Sequence, residues 1–254
     1  MAIFRKDMRE FRRNKQIIST MAISPVGFLV FPVIFLFAVP ASDASTLYQY
    51  PVLLFTLAMA ALVPVTVGAY SITGEREQGT LEPVLGTPVL AGEFLLGKAL
   101  AALIPTVAIS YAMYGIFLCV VAAFAHQNVA SEIFQAPRIL AQLLFTPLLA
   151  GWSIWAGIAV SARSSDVRVA QQIGTLASLP PLALTALMGF GVIQPTLTLA
   201  LILGAVLLVI DLLAWRLVAT MFNRERLITG SKATTRTPTT ALRPQSLPQE
   251  ASPR

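Results

Sequence analysis

Long apolar runs alternate with short polar connections along this chain, and six of the runs reach the ~20 residues that a helix needs to cross a bilayer. They are Ile17 to Pro40, Pro51 to Thr73, Ala99 to Ala125, Ile139 to Ser161, Val169 to Phe190 and Thr196 to Val218. Backbone groups surrounded by hydrocarbon must bond to one another, so runs of this length predict helices. The expected fold is all-α, a polytopic membrane protein with six transmembrane helices. Ahead of the first run, residues 1–16 place Phe4, Met8 and Phe11 at helical spacing with Arg5, Arg9, Arg12 and Arg13 between them. That pattern predicts an amphipathic helix lying in the membrane interface.

Three regions follow from the pattern: the interfacial helix 1–16, a six-span domain 17–222 that contains a polar segment 74–98, and a tail 223–254. From Thr229 onward the tail is Thr, Ser, Pro, Gln and Arg with few large apolar residues, too little apolar surface to offset ordering. Composition agrees with a bilayer as the main solvent. Hydrophobic residues make up 56% of the chain and charged residues 12%, against about 25% charged in soluble domains.

Charge then orients the spans. Arg5, Lys6, Arg9, Arg12, Arg13 and Lys15 precede the first run, Arg76 and Lys98 flank segment 74–98, Arg163 and Arg168 lie between the fourth and fifth, and Arg216, Arg224 and Arg226 lie at the end of the sixth run and beyond it. Arg138 is alone on the opposite side. Excess Lys and Arg stay in the cytoplasm, so both termini are expected there, in the cell membrane. The net charge of +6 is read as this bias plus attraction to anionic membrane lipids. Without a basic groove carrying interleaved aromatics, it does not predict a nucleic-acid partner. External segments are short, so no sizeable domain is expected there.

Segment 74–98 holds the most informative chemistry. Thr80 is placed to cap a short helix from Thr80 to Leu85, with Glu82 and Pro83 in its first turn. Leu81, Val84 and Leu85 then share one face, an apolar anchor suited to a groove on another protein. Glu75, Glu77 and Glu82 add negative charge for a basic rim. Gly92 to Lys98 has the spacing of a phosphate-binding loop, but Ala99 stands where a magnesium-holding Ser or Thr belongs and the stretch reads as helix. No cofactor is therefore expected on this chain.

Glu75, Arg76 and Glu77, then Gly79, Thr80, Leu81 and Glu82, then Leu85, Thr87, Pro88 and Val89, an acid at Glu93, and Gly97-Lys98 form a pattern that resembles the ABC transporter type-2 membrane subunits. The six-span layout and basic N-terminus extend the resemblance over about residues 1 to 226. The resemblance implies a permease that forms a substrate pathway as a dimer, with a second copy or a related permease. It implies two separate ATP-binding subunits carrying ATP and magnesium, with Thr80 to Leu85 docked in a cleft of the ATPase, and it favours export.

Ion-driven transporters carry ionisable residues deep in the bilayer, whereas here Asp211 is the one acid within a span. Counted from the end of the sixth run it is expected about 9 Å from the cytoplasmic boundary. Together with Asp211, the candidate pathway lining is mild: Thr66, Thr106, Ser110, Tyr111, Tyr114, Gln142, Ser153, Thr175 and Ser178. Two other readings stand beside transport. One is a permease-like subunit for sensing or complex assembly. The other is a polytopic membrane enzyme, which the lone external His126 and the lack of an intramembrane carboxylate pair disfavour.

Overall fold

The computed structural model describes residues 6, 7, 9, 15–38, 52–81, 91–189 and 197–221. Eight helices are described: α1 (Lys15–Ala38), α2 (Val52–Glu77), α3 (Ala91–Phe124), α4 (Gln127–Ile133), α5 (Ala136–Arg163), α6 (Val167–Ala177), α7 (Leu179–Gly189) and α8 (Leu197–Met221). No strand occurs among the described residues. Among the described residues four stretches are long and apolar enough to cross a membrane, Phe55–Glu77, Gly92–Phe124, Ala136–Arg163 and Leu197–Thr220, and Ile23–Phe37 is a shorter apolar helix. These match the second, third, fourth and sixth apolar runs.

The expected fifth span differs. Val169 to Phe190 was read as one helix, but the chain folds it as two 11-residue helices, α6 and α7, meeting at Ser178. Pro25, Pro32, Pro64, Pro105 and Pro147 all sit inside uninterrupted helices. A single proline deletes one backbone donor. Pro180 and Pro181 delete two in succession, those that would have reached the carbonyls of Leu176 and Ala177. Helix α6 stops there, and the prolines enter the first turn of α7, where no intrahelical donor is needed.

Helix α2 is the centre of the bundle, packed against α1, α3, α5, α6 and α7. Its main partner is α5, and the two run parallel: Thr56 meets Gln142 near one end and Thr73 meets Ser161 near the other. Glycines let the backbones touch between those points. A Cβ on Gly157 would lie 2.9 Å from both Val65 O and Ala69 N, and one on Gly68 2.9 Å from Ile154 O. Small residues at such crossings replace the missing hydrophobic drive between helices in lipid.

Near the end of α2 that carries Glu75, hereafter the base, Ile72 packs with Phe94, Leu95, Ile154, Ile158 and Val218. A second cluster joins Leu36, Tyr114, Phe117 and Val121 to Val129 and Ile133 of α4, and a third joins α2, α5 and α8 through Leu57, Phe145, Leu149 and Leu207. Helix α8 turns Leu201, Val209, Leu212, Leu213 and Leu217 outward, as suits a helix bordered by lipid.

Candidate functional site

At the base, α2 ends in a closed turn. Gly79 has φ +68, Thr80 N donates to Glu75 O at 2.9 Å and Gly79 N to Arg76 O at 3.1 Å. This pair of bonds with a left-handed glycine is the Schellman stop, and it gives Gly79 a backbone reason. Thr80 Oγ1 also donates to Glu75 O, at 3.3 Å. The polypeptide thus leaves the bundle at a fixed angle.

Leu81 follows at once and differs from expectation. Its side chain is 2% exposed, packed in the cluster of Ile72, Phe94, Leu95 and Ile158. Predicted as part of an outward anchor, Leu81 instead holds the segment to the bundle's own core, because the Schellman turn folds it back over α3. Glu82, Val84, Leu85, Thr87 and Pro88 lie outside the described residues.

Glu75 was expected to offer charge to a partner, and it too is turned inward. Its Oε1 accepts from Lys6 Nζ at 2.6 Å and lies 3.1 Å from Lys98 Nζ, which is itself 3.6 Å from Asp7 Oδ2. Glu75, Lys98 and Asp7 are nearly fully buried. Burying ions is tolerated where each meets an opposite charge, and here Lys98 faces both Asp7 and Glu75 while Lys6 faces Glu75. Lys98 also lies over the Phe94 ring, 5.1 Å from its centroid. The cluster ties the N-terminal segment, the end of α2 and the start of α3 together.

Arg76 and Glu77 reach a fourth element. Arg76 Nη1 donates to Ser164 O at 2.8 Å, and Glu77 Oε1 accepts from Val167 N at 3.2 Å, the first amide of α6. A carboxylate there satisfies an orphan donor at the positive end of that helix. Asp166 caps the next amides, taking Arg168 N at 2.6 Å. Gly92 to Lys98 belongs to α3 throughout, so the phosphate-loop spacing falls on a helix.

The ten interior polar residues do not form one lining. Thr106, Thr175 and Ser178 donate to carbonyls of their own helices, four residues back, and Thr66 to Val63 O. Gln142 is fully buried on the α2–α5 seam, accepting from Thr56 and donating to Thr146, so its role is packing. Tyr111 OH donates to Leu143 O at 2.8 Å and links α3 to α5.

Ser110 Oγ, Tyr114 OH, Ser153 Oγ and Asp211 Oδ1 are buried without a hydrogen-bond partner. Asp211 is ten residues, about 15 Å, before Met221 at the end of α8. It packs against Gly151, where a Cβ would come within 2.7 Å of its Oδ2, and Gly151 is about 18 Å along α5 from Arg163 at 1.5 Å per residue. Helix α8 runs on to Met221, past the expected span end at Val218.

Several participants were missed in the sequence. Lys6 was read only as one of the basic residues before the first run and Ser161 only as the end of the fourth, while Asp7 and Trp152 were given no role. An acid at Asp7 amid basic residues was a usable signal for the first. Ser161 Oγ accepts the amides of Ile72 and Thr73 and donates to Ala69 O, a role no spacing reveals.

Comparison with curated proteins gave no match. Multiple bilayer-length apolar helices, with Lys6, Asp7, the end of α2, the start of α3 and the α5–α6 link gathered at one end, describe a multi-pass membrane protein. A family model described as ABC-2 family transporter protein matches residues 1–236, nearly the whole chain, and the protein therefore belongs to the ABC-2 transporter family.

Proposed function

We propose that this chain is the permease subunit of an ATP-driven ABC exporter. It sits in the cell membrane with six passes and cytoplasmic termini, and it forms the substrate pathway as a dimer with a second copy or a related permease. Separate ATP-binding subunits carry ATP and magnesium and engage segment 74–98. The observation that carries this reading is the Glu75 cluster with Lys6 and Lys98. A push on segment 74–98 reaches the N-terminal segment, α2 and α3 at once, and through Arg76 and Glu77 it reaches α6.

Mechanically, the Schellman stop fixes the direction in which the segment leaves α2, so force is not lost in a pliant turn. Helix α6 is a short rod from the base to the break at Ser178. Movement of its base shifts the rod against α2 and α5, on both of which it packs, and carries the push into the bundle interior. The basic residues grouped at the base support a cytoplasmic assignment for it.

The test is co-isolation of the cognate ATPase with a Leu85→Asp variant. Leu81 is unsuitable because its burial makes any charge there a core defect. The variant should insert normally and lose the ATPase. Undiminished co-isolation would remove the coupling role of this segment.

A further inference from the structure

We infer that Asp211 is the counter-charge of an intramembrane binding site for amphipathic organic cations, the class of cargo this protein accepts; as a cargo site it rests on the transport reading. Asp211 Oδ1 is buried with no hydrogen-bond partner, and among the described residues no lysine, arginine or histidine pairs with the carboxylate. Arg216, the nearest base in sequence, is exposed on another face of α8. An ionised carboxylate this deep is unfavourable unless something positive neutralises it, and such residues mark ligand pathways.

The surroundings select the kind of cation. Gly151 leaves just enough room for the carboxylate against the α5 backbone, since a Cβ would meet Oδ2 at 2.7 Å. One turn closer to the base on each helix stands a tryptophan, Trp155 on α5 and Trp215 on α8, and both belong to one apolar cluster. Trp215 Nε1 is likewise buried without a partner. Indole faces attract cations, and an organic cation suits them better than a hydrated metal ion. Helix α8 packs mainly on α5 and α3 while exposing Leu208 and Leu212 on one flank of Asp211. The seam is therefore reachable sideways from the bilayer, where an amphipathic cation already concentrates.

The experiment uses the full chain in nanodiscs of neutral phosphatidylcholine, without the ATPase, so its result is separate from that of the co-isolation test. Tetraphenylphosphonium should bind saturably, and Asp211→Asn should weaken that binding at least tenfold. Tetraphenylborate, of like shape and opposite charge, should show no binding that depends on residue 211. Labelling of the unmodified protein by dicyclohexylcarbodiimide, read at Asp211 by mass spectrometry, should be slowed by the phosphonium and not by the borate; this arm decides the matter even if the variant fails to fold. A loss under tenfold in a folded variant, or labelling that the phosphonium does not slow, overturns the assignment.

Discussion

Trp152 Nε1 donates to the carbonyl oxygen of Ala177 at 2.9 Å, across the seam between α5 and α6. That oxygen is the acceptor which Pro181 leaves without its usual donor. A proline break within a membrane helix is tolerated when a neighbour re-satisfies the freed group, and here one indole does so. Trp152→Phe should therefore lower stability by about 1–2 kcal/mol, the scale of an interhelical hydrogen bond in a membrane. Thermal unfolding in detergent measures it. Adding Pro181→Ala restores an N–H for the same oxygen and should recover most of the loss; a double variant no better than the single one would argue against this account.

Gly157→Ala should be poorly tolerated, because its Cβ would lie 2.9 Å from Val65 O and Ala69 N, which are backbone atoms unable to turn aside. Overpacking of this kind costs typically 1–3 kcal/mol. Gly115→Ala serves as the comparison, since nothing lies within 4 Å of a Cβ there. Monodispersity after extraction and thermal midpoint should fall for the first and hold for the second.

Lys98→Met removes the base that faces both buried acids, Asp7 and Glu75. Breaking a buried ion pair from one side costs about 3–5 kcal/mol. Folded yield should drop sharply, and adding Asp7→Asn should recover part of it by removing one of the two buried acids that Lys98 faces. Equal yields for the single and double variants would mean Asp7 does not feel Lys98.

The two bundle ends should face opposite sides of the membrane. In a Cys119→Ala background, Gln78→Cys, exposed at the base, should react with an impermeant thiol reagent only after permeabilisation. His126→Cys, exposed at the α3–α4 link, should react in intact cells. Labelling of Gln78→Cys in intact cells would reverse the orientation and remove the site for a cytoplasmic ATPase.

Much of the fold was legible because a bilayer imposes a length rule on apolar runs. Phe55–Glu77 and Leu197–Thr220 fall where hydropathy puts them, since nothing else stabilises twenty apolar residues. The broken fifth run was not legible as a break. Pro105 lies within an unbroken α3 while Pro180 and Pro181 end α6, and the difference goes with one backbone donor lost against two lost in succession.

The candidate site was legible in location and not in orientation. Glu75, Arg76, Glu77 and Lys98 stand out in the sequence as polar residues between apolar runs, and they do gather at one end. That Glu75 and Leu81 point into the bundle depends on the Schellman turn at Gly79 and on Lys6 and Asp7, which arrive from far along the chain.

By itself the sequence determined the solvent, the helical class and the family, because apolar run length and the acidic segment after the second run are local properties of the chain. Tertiary structure alone decided which polar groups find partners. Ser161 receives amides from α2, Ala177 O is rescued by Trp152, and Asp211 is left unpartnered beside Gly151. Hydrogen bonds and ion pairs depend on distances of a few ångströms between segments tens of residues apart, and only the packed bundle fixes those distances.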